Sequence, residues 1–179
     1  MKMIVYTVQH ENVCDMIRKG GAYFPEWHRT RPFNPSLDAR GTNRQGAPSP
    51  ELLDRVRPQR QRAYFWMAKE YALIKGRRTI RALVYGFLEK SDAENLLEDD
   101  EVLLTLDIPD SDLLYSQHQA WSTEILAGVR VTPRSEEIAR RMPAGLALED
   151  NWATIFDVTD YTETLQVVFD RIEPHWVVK

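Results

Sequence analysis

The chain has 179 residues, of which 43% are hydrophobic and 28% are charged, and its formal net charge is −4. These values are typical of a globular domain and argue against a wholly disordered chain. A single cysteine, Cys14, excludes an internal disulfide and favours a reducing compartment. Because the sequence has no apolar run long enough for a membrane span or a signal peptide, we expect one soluble, cytoplasmic domain over 1–179 with no membrane partner.

A strand followed directly by a helix opens the chain. Residues Met3–Gln9 alternate and are rich in β-forming types, which predicts the first strand. Asn12 is predicted to be the N-cap of a short helix, and Gly20-Gly21 ends that helix. His10 therefore lies at the strand–helix junction, where a histidine either faces a cleft or bonds nearby backbone.

A segment rich in proline and arginine follows, and we predict an irregular loop over about 29–62. We expect it to be mobile without ligand and to lie beside the functional cleft. Arginine suits the bidentate recognition of phosphate or carboxylate, and the candidate substrate-binding residues are Arg29, Arg31, Arg40 and Arg44. The alternative is a solvated loop whose charge is balanced elsewhere in the chain.

An aromatic helix and a buried strand are predicted next. Four residues with helical spacing share one face, namely Tyr64, Met67, Ala68 and Tyr71. The helix is expected to end near Lys75-Gly76, and Ile80–Leu88 is expected to be a strand. This arrangement could hold a flat ligand ring, and it is also the pattern of an ordinary core.

The remaining elements are less regular. Strands are predicted at Val102–Ile108, at 121–126, at Gly128–Thr132 and at Trp152–Val158, and a charged surface helix is predicted at Pro133–Met142. Thr162–Val178 fits a helix and a strand equally well. Glu124 lies in the second of these strands, where alternation would place it on one face with Ser122 and Leu126. It is predicted either to point into a cleft or to be exposed at a sheet edge.

Several familiar sites are not indicated. The sequence has no glycine-rich phosphate loop, no paired-cysteine zinc motif and no serine elbow. The four histidines lack metal-ligand spacing, so no metal is expected. Cys14 falls within the first predicted helix and is interpreted as an inert, buried thiol.

Three short segments resemble the ADP-ribosyltransferase superfamily. QHENVCDMIRKGG is similar to the family's opening, in which a strand ends in His and the following helix closes at Gly, and its spacing is most similar to the DNA-targeting ADP-ribosyltransferase toxins. AYFWMAKEYA resembles the second motif of the poly(ADP-ribose) polymerases. STEIL followed by GVRV resembles the segment that holds the catalytic glutamate. AYFWM, LLTLDIPDSDLLYS and NWATIFDV also resemble a bacterial family of unknown function.

The resemblance implies an α+β single domain with a split, mostly antiparallel sheet and flanking helices. It also implies NAD as a substrate, whose ADP-ribose would be transferred to a nucleic-acid or protein target, as in a toxin or phage-conflict effector. Glu124 would stabilise the positive charge that develops on the ribose. His10 and Gln9 would position NAD, and Tyr64 and Tyr71 would pack the nicotinamide. The loop arginines would meet the pyrophosphate or an acidic target.

Two other classes of function stay open at this point. One is a non-enzymatic nucleic-acid-binding module that uses the arginine loop with Tyr and Trp faces. The other is a protein-interaction, immunity or regulatory module in which these residues only build the core. The enzyme interpretation requires His10 and Tyr64 on one cleft wall and Glu124 pointing into the same cleft.

Overall fold

A five-stranded antiparallel sheet forms the centre of the molecule, as seen in a computed structural model that describes residues 1–30, 32–34, 50–122, 149–159 and 164–178. The sheet order is β3-β1-β2-β5-β4. The strands are β1 Lys2–His10, β2 Val84–Phe87, β3 Glu101–Pro109, β4 Leu114–Gln117 and β5 Leu165–Phe169. The predicted α+β class and antiparallel sheet are confirmed.

Helices pack on both faces of this sheet. Within the described ranges the α-helices are α1 Glu11–Arg18, α2 Pro50–Ile74 and α3 Lys90–Glu94. Short 3-10 helices lie at Trp27–Arg29, Asp110–Asp112, Glu149–Phe156 and Pro174–Trp176. None of the helices in the described part of the chain is long and apolar enough to cross a membrane.

Each face of the sheet has its own core. On the face covered by α2, hereafter the α2 face, buried helix residues such as Met67 and Ala68 pack with Leu83, Trp121 and Trp152. The opposite face, hereafter the α1 face, has a second core that contains Val5, Ile17, Leu106, Phe169 and Trp176. Burial of large apolar side chains on both faces supplies most of the stabilisation of such a fold.

The ladder between β1 and β2 is the shortest in the sheet. Their ladder contains one registered pair, Tyr6 with Phe87, whereas β1 and β3 are paired along their whole lengths. The close approach at this point requires glycine, because a Cβ atom on Gly86 would lie 2.6 Å from Cγ1 of Val5. Beyond the pair, the end of β1 and the start of β2 are not registered with each other, and this stretch is hereafter called the fork.

Helix α2 corrects the prediction of an irregular loop over about 29–62. The structure has a helix from Pro50 onward, with Pro58 inside it. Proline is favoured in the first helical turn, and an interior proline is tolerated where packing compensates for the lost hydrogen bond. That packing comes from the buried residues of the second half of α2, which begin at Ala63.

Three further predictions from local pattern are wrong. Residues 118–122 are helical, so the strand predicted at 121–126 does not begin at Trp121. The strand predicted at Trp152–Val158 is mostly the 3-10 helix Glu149–Phe156, in which Trp152 and Ile155 are buried three positions apart, as helical spacing requires. The N-cap of α1 is His10 instead of Asn12.

Two ambiguous or overlong segments are also resolved. The strand predicted over Ile80–Leu88 is limited to Val84–Phe87, and the ambiguous Thr162–Val178 contains strand β5. The predicted elements Gly128–Thr132 and Pro133–Met142 lie outside the described residues.

Candidate functional site

The fork between β1 and β2 is lined by a short chain of polar groups. The Thr7 hydroxyl donates to the backbone oxygen of Tyr85 at 2.7 Å and accepts a hydrogen bond from Nε2 of Gln9 at 2.9 Å. Thr7 is fully buried, so this bonding satisfies a hydroxyl that would otherwise be costly to bury. Gln9, one of the predicted NAD-binding residues, therefore shares the α1 face with Val5 and Thr7, opposite to the face of Tyr64.

His10 lies at the end of β1 on the same side of the fork. By the alternation of side chains along β1, His10 shares a face with Tyr6, whose partner Phe87 alternates onto the face of Tyr85. Tyr85 and Tyr64 both pack against the α2-face core. His10 and Tyr64 therefore lie on the same face of the sheet.

Both ring nitrogens of His10 have local partners. Nδ1 accepts a hydrogen bond from the backbone N–H of Asn12 at 3.2 Å and caps α1. The ring proton therefore resides on Nε2, which lies 3.2 Å from Oδ2 of Asp100. Because the side chains of His10 and Asp100 are 39% and 46% exposed, a ligand hydroxyl can compete for that proton.

Three aromatic side chains form a cluster above β2. Tyr64 of α2 lies edge-on to Tyr85 of β2 and to Trp121, with ring centroids 5.3 and 5.5 Å away, and Tyr85 stacks on Trp121 at 5.8 Å. Sequence reasoning singled out Tyr64 but missed Tyr85 and Trp121. The available signal was Tyr85 at the centre of the predicted buried strand, where a polar hydroxyl needs an explanation.

Tyr71 has a structural role in this conformation. It is 1% exposed, and its hydroxyl donates to the backbone oxygen of Asp112 at 2.9 Å. Burial raises the pKa of Tyr71 to about 12, with the charge of Asp170 acting in the same direction. Because its ring is enclosed by the core, Tyr71 offers no free face to a nicotinamide.

An ion-pair network holds the end of α2 near Tyr71. Nη2 of Arg77 lies 2.5 Å from Oδ1 of Asp112, and its Nε lies 3.1 Å from Oδ2 of Asp170. Arg171 joins the same network through Asp170 at 2.8 Å and Glu173 at 2.7 Å. These half-buried charges fix α2 to the segments that follow β3 and β5.

An open pocket of about 480 Å³ lies beside the segment that leads into β2. Its described lining residues are Phe24, Pro25, Glu26, Trp27, His28, Ile80, Arg81 and Ala82. The Arg81 guanidinium lies over the Phe24 ring at 5.1 Å, a cation–π contact. The predicted residues Gln9, His10, Tyr64 and Tyr71 are not among this described lining.

Arg29 lies next to this pocket, in the 3-10 helix Trp27–Arg29. Its Nε is 3.3 Å from Oε2 of Glu26, and its side chain is 60% exposed. The other predicted substrate-binding residues, Arg31, Arg40 and Arg44, and the predicted catalytic residue Glu124 lie outside the described residues.

Comparison of the chain with protein-family models, curated proteins and solved structures finds no match. Across the described ranges, no group of three or more His, Cys, Asp or Glu side chains could hold a metal ion. The proposal of a function therefore rests on the geometry of the fork and of the pocket.

A second cluster of buried polar side chains lies around His118, at the other end of β2. Nε2 of Gln166 donates to the Ser116 hydroxyl at 3.0 Å, which leaves its Oε1 to accept from Nδ1 of His118 at 3.2 Å. The His118 ring also lies edge-on to Phe87, with centroids 4.9 Å apart. Burial lowers the pKa of His118 from its ordinary 6.5, and Gln166 and Asp92 oppose that shift.

We expect acidification to destabilise the protein through His118. Because its folded pKa is below its unfolded value, the unfolded state binds more protons between the two, and stability falls as the pH decreases from 6.5 through the folded pKa. Thermal unfolding of His118→Gln should depend less on pH below neutrality than wild type. His28→Gln, at a side chain 71% exposed, should retain the wild-type dependence. Equal pH profiles for wild type and His118→Gln would contradict this.

Proposed function

We propose that the chain is an ADP-ribosyltransferase-like enzyme that uses NAD as a substrate and transfers ADP-ribose to a nucleic-acid or protein target. The observation that supports it most directly is the fork at the end of β1. Gln9 and His10 belong to one strand of the fork, and Tyr64 packs on the first residues of the other. Of the side chains that the resemblance assigns to NAD, His10 and Tyr64 share the α2 face of the sheet, whereas Gln9 alternates with His10 onto the α1 face.

The chemistry follows from the charge that develops when the bond between nicotinamide and ribose breaks. The ribose becomes positively charged, and the carboxylate of Glu124 would stabilise that charge. Nε2–H of His10 supplies a hydrogen bond to an NAD hydroxyl and gives up its contact with Asp100 in exchange. Tyr64 supplies an aromatic surface for the nicotinamide ring.

Binding of NAD is the first test. At an NAD concentration about one hundred times its dissociation constant, binding should stabilise the folded state by about 2.7 kcal/mol. Thermal unfolding and isothermal calorimetry with NAD measure this directly. His10→Ala should bind NAD more weakly, and Lys90→Ala, an exposed residue of α3, should bind it as wild type does. A titration of wild type without heat or stabilisation would contradict the proposal.

The pocket favours a second candidate, a module that binds single-stranded nucleic acid without catalysis. The pocket contains the exposed ring of Phe24, the ring of Trp27 and the cation of Arg81. Bases stack on aromatic rings, and phosphates pair with cations. Trp27 also contacts Phe33 and Phe65, with ring centroids 4.9 and 5.9 Å away, so the aromatic surface continues onto α2. Binding of a single-stranded oligonucleotide that weakens with salt and with Trp27→Ala, with no effect of NAD, would favour this candidate.

A further inference from the structure

Tyr85 carries a buried hydroxyl that has no acceptor. Within the described part of the chain, the Tyr85 hydroxyl oxygen is inaccessible to solvent and forms no hydrogen bond. A buried hydroxyl left without a partner is destabilising, because it loses its bonds to water and gains none. The same protein satisfies two other tyrosines, since Tyr71 donates to the Asp112 backbone and Tyr115 donates to the Asp110 carboxylate at 2.5 Å.

The backbone of Tyr85 lies at the fork. Tyr85 lies in β2 at the point where β1 and β2 separate, and its own backbone oxygen is the acceptor for Thr7 in the polar chain to Gln9. On the α2 face its ring packs between Tyr64 and Trp121. Tyr85 is partly exposed as a residue, although its hydroxyl oxygen is buried.

We propose that the Tyr85 hydroxyl is a ligand-binding group that donates a hydrogen bond to the carboxamide oxygen of the nicotinamide of NAD. This assignment rests on the proposed function and adds a residue that neither the sequence nor the resemblance indicates. The nicotinamide end is chosen because Tyr85 adjoins Tyr64, the ring assigned to that end. Binding requires the half-buried Tyr64 ring to move aside.

The environment suits a neutral donor. Burial raises the pKa of Tyr85 well above its ordinary value of 10, and the neighbouring Tyr64 acts in the same direction. The hydroxyl therefore stays protonated throughout the physiological range and can donate to an uncharged carbonyl oxygen. A carboxylate acceptor would have to enter the same site as a buried charge, which is much more costly.

The test is the isosteric variant Tyr85→Phe, with Tyr71→Phe and Tyr115→Phe as matched controls. Removing a hydroxyl that has no partner should leave the unfolding temperature of the free protein unchanged or higher, whereas both controls should lower it because each breaks a hydrogen bond. For NAD, Tyr85→Phe should raise the dissociation constant about tenfold, the value of one hydrogen bond to a buried partner. ADP-ribose, which lacks nicotinamide, should bind wild type and Tyr85→Phe equally.

The outcomes separate this assignment from the proposed function. Wild-type protein that binds neither NAD nor ADP-ribose overturns the proposed function, and the assignment with it. Equal NAD dissociation constants for wild type and Tyr85→Phe would overturn the assignment alone. A free Tyr85→Phe protein destabilised as much as Tyr71→Phe also overturns it, because the hydroxyl would then have a partner without ligand. Equal weakening of NAD and ADP-ribose would place the hydroxyl away from the nicotinamide and contradict the stated contact.

Discussion

Glu124→Gln should reduce cleavage of NAD by about 10²–10³-fold while leaving NAD affinity and folding nearly unchanged. Glutamine retains the shape of the side chain and removes the negative charge that would stabilise the ribose cation. Because that charge acts mainly in the transition state, the loss should appear in kcat and not in the dissociation constant of NAD. Release of nicotinamide in a single turnover measures the effect, and calorimetry measures the affinity.

A matched charge removal distinguishes chemistry from general electrostatics. Glu89 is exposed and precedes α3, so Glu89→Gln changes the net charge equally and should keep wild-type turnover. Full activity of Glu124→Gln would end the catalytic role of Glu124. A loss of stability in step with the loss of activity would assign Glu124 a structural role.

The largest effect on stability is expected from Trp121→Ala. Trp121 is 2% exposed and packs against both Tyr64 and Tyr85. Truncating a buried tryptophan removes its transfer free energy and leaves a cavity, which together cost about 3–5 kcal/mol. That is a large part of the total stability of about 5–15 kcal/mol of an ordinary domain. Urea unfolding followed by circular dichroism measures the difference.

Phe65→Ala is the matched control for this aromatic truncation. Phe65 is 48% exposed on α2 and contacts Trp27, so its truncation should cost about 0.5–1.5 kcal/mol, well below the loss expected for Trp121→Ala. Similar losses for Trp121→Ala and Phe65→Ala would contradict the packing of Trp121 over β2. NAD affinity should fall in Trp121→Ala, since Tyr64 and Tyr85 lose a common neighbour.

Periodicity predicted the elements whose local pattern agrees with their environment. The alternation of Met3–Gln9 predicted β1, and the helical spacing of Tyr64, Met67 and Tyr71 predicted the second half of α2. Gly76 has a φ of 62°, as expected of a glycine that ends a helix. These elements can be predicted without knowledge of distant residues, because buried positions recur at a regular spacing along the segment itself.

The errors arise where tertiary packing outweighs local propensity. Pro50 and Pro58 indicated a loop, yet α2 continues through both because its later turns are anchored in the core. The β-branched residues near Trp152 indicated a strand, although the spacing of Trp152 and Ile155 was helical. The sequence placed Gln9 and His10 at the end of the first strand and Tyr64 on a helix, as the structure has them. It could not show that Tyr71 is enclosed or that Tyr85 lacks a partner, since both depend on contacts between distant segments.

The strand order β3-β1-β2-β5-β4 has a consequence for the kinetics of folding. Each pairing that involves β1 joins the beginning of the chain to residues far along it, such as His10 with Glu101. Proteins dominated by such non-local pairings fold in milliseconds to seconds, because loop closure precedes any gain from contact. β3 pairs with β1 along its whole length. At a synthesis rate of about 5–20 residues per second, the ribosome completes β3 roughly 5–20 s after it completes β1. For that time the apolar side chains of the first strand have no sheet to enter, so the nascent chain is most prone to aggregation before β3 is complete.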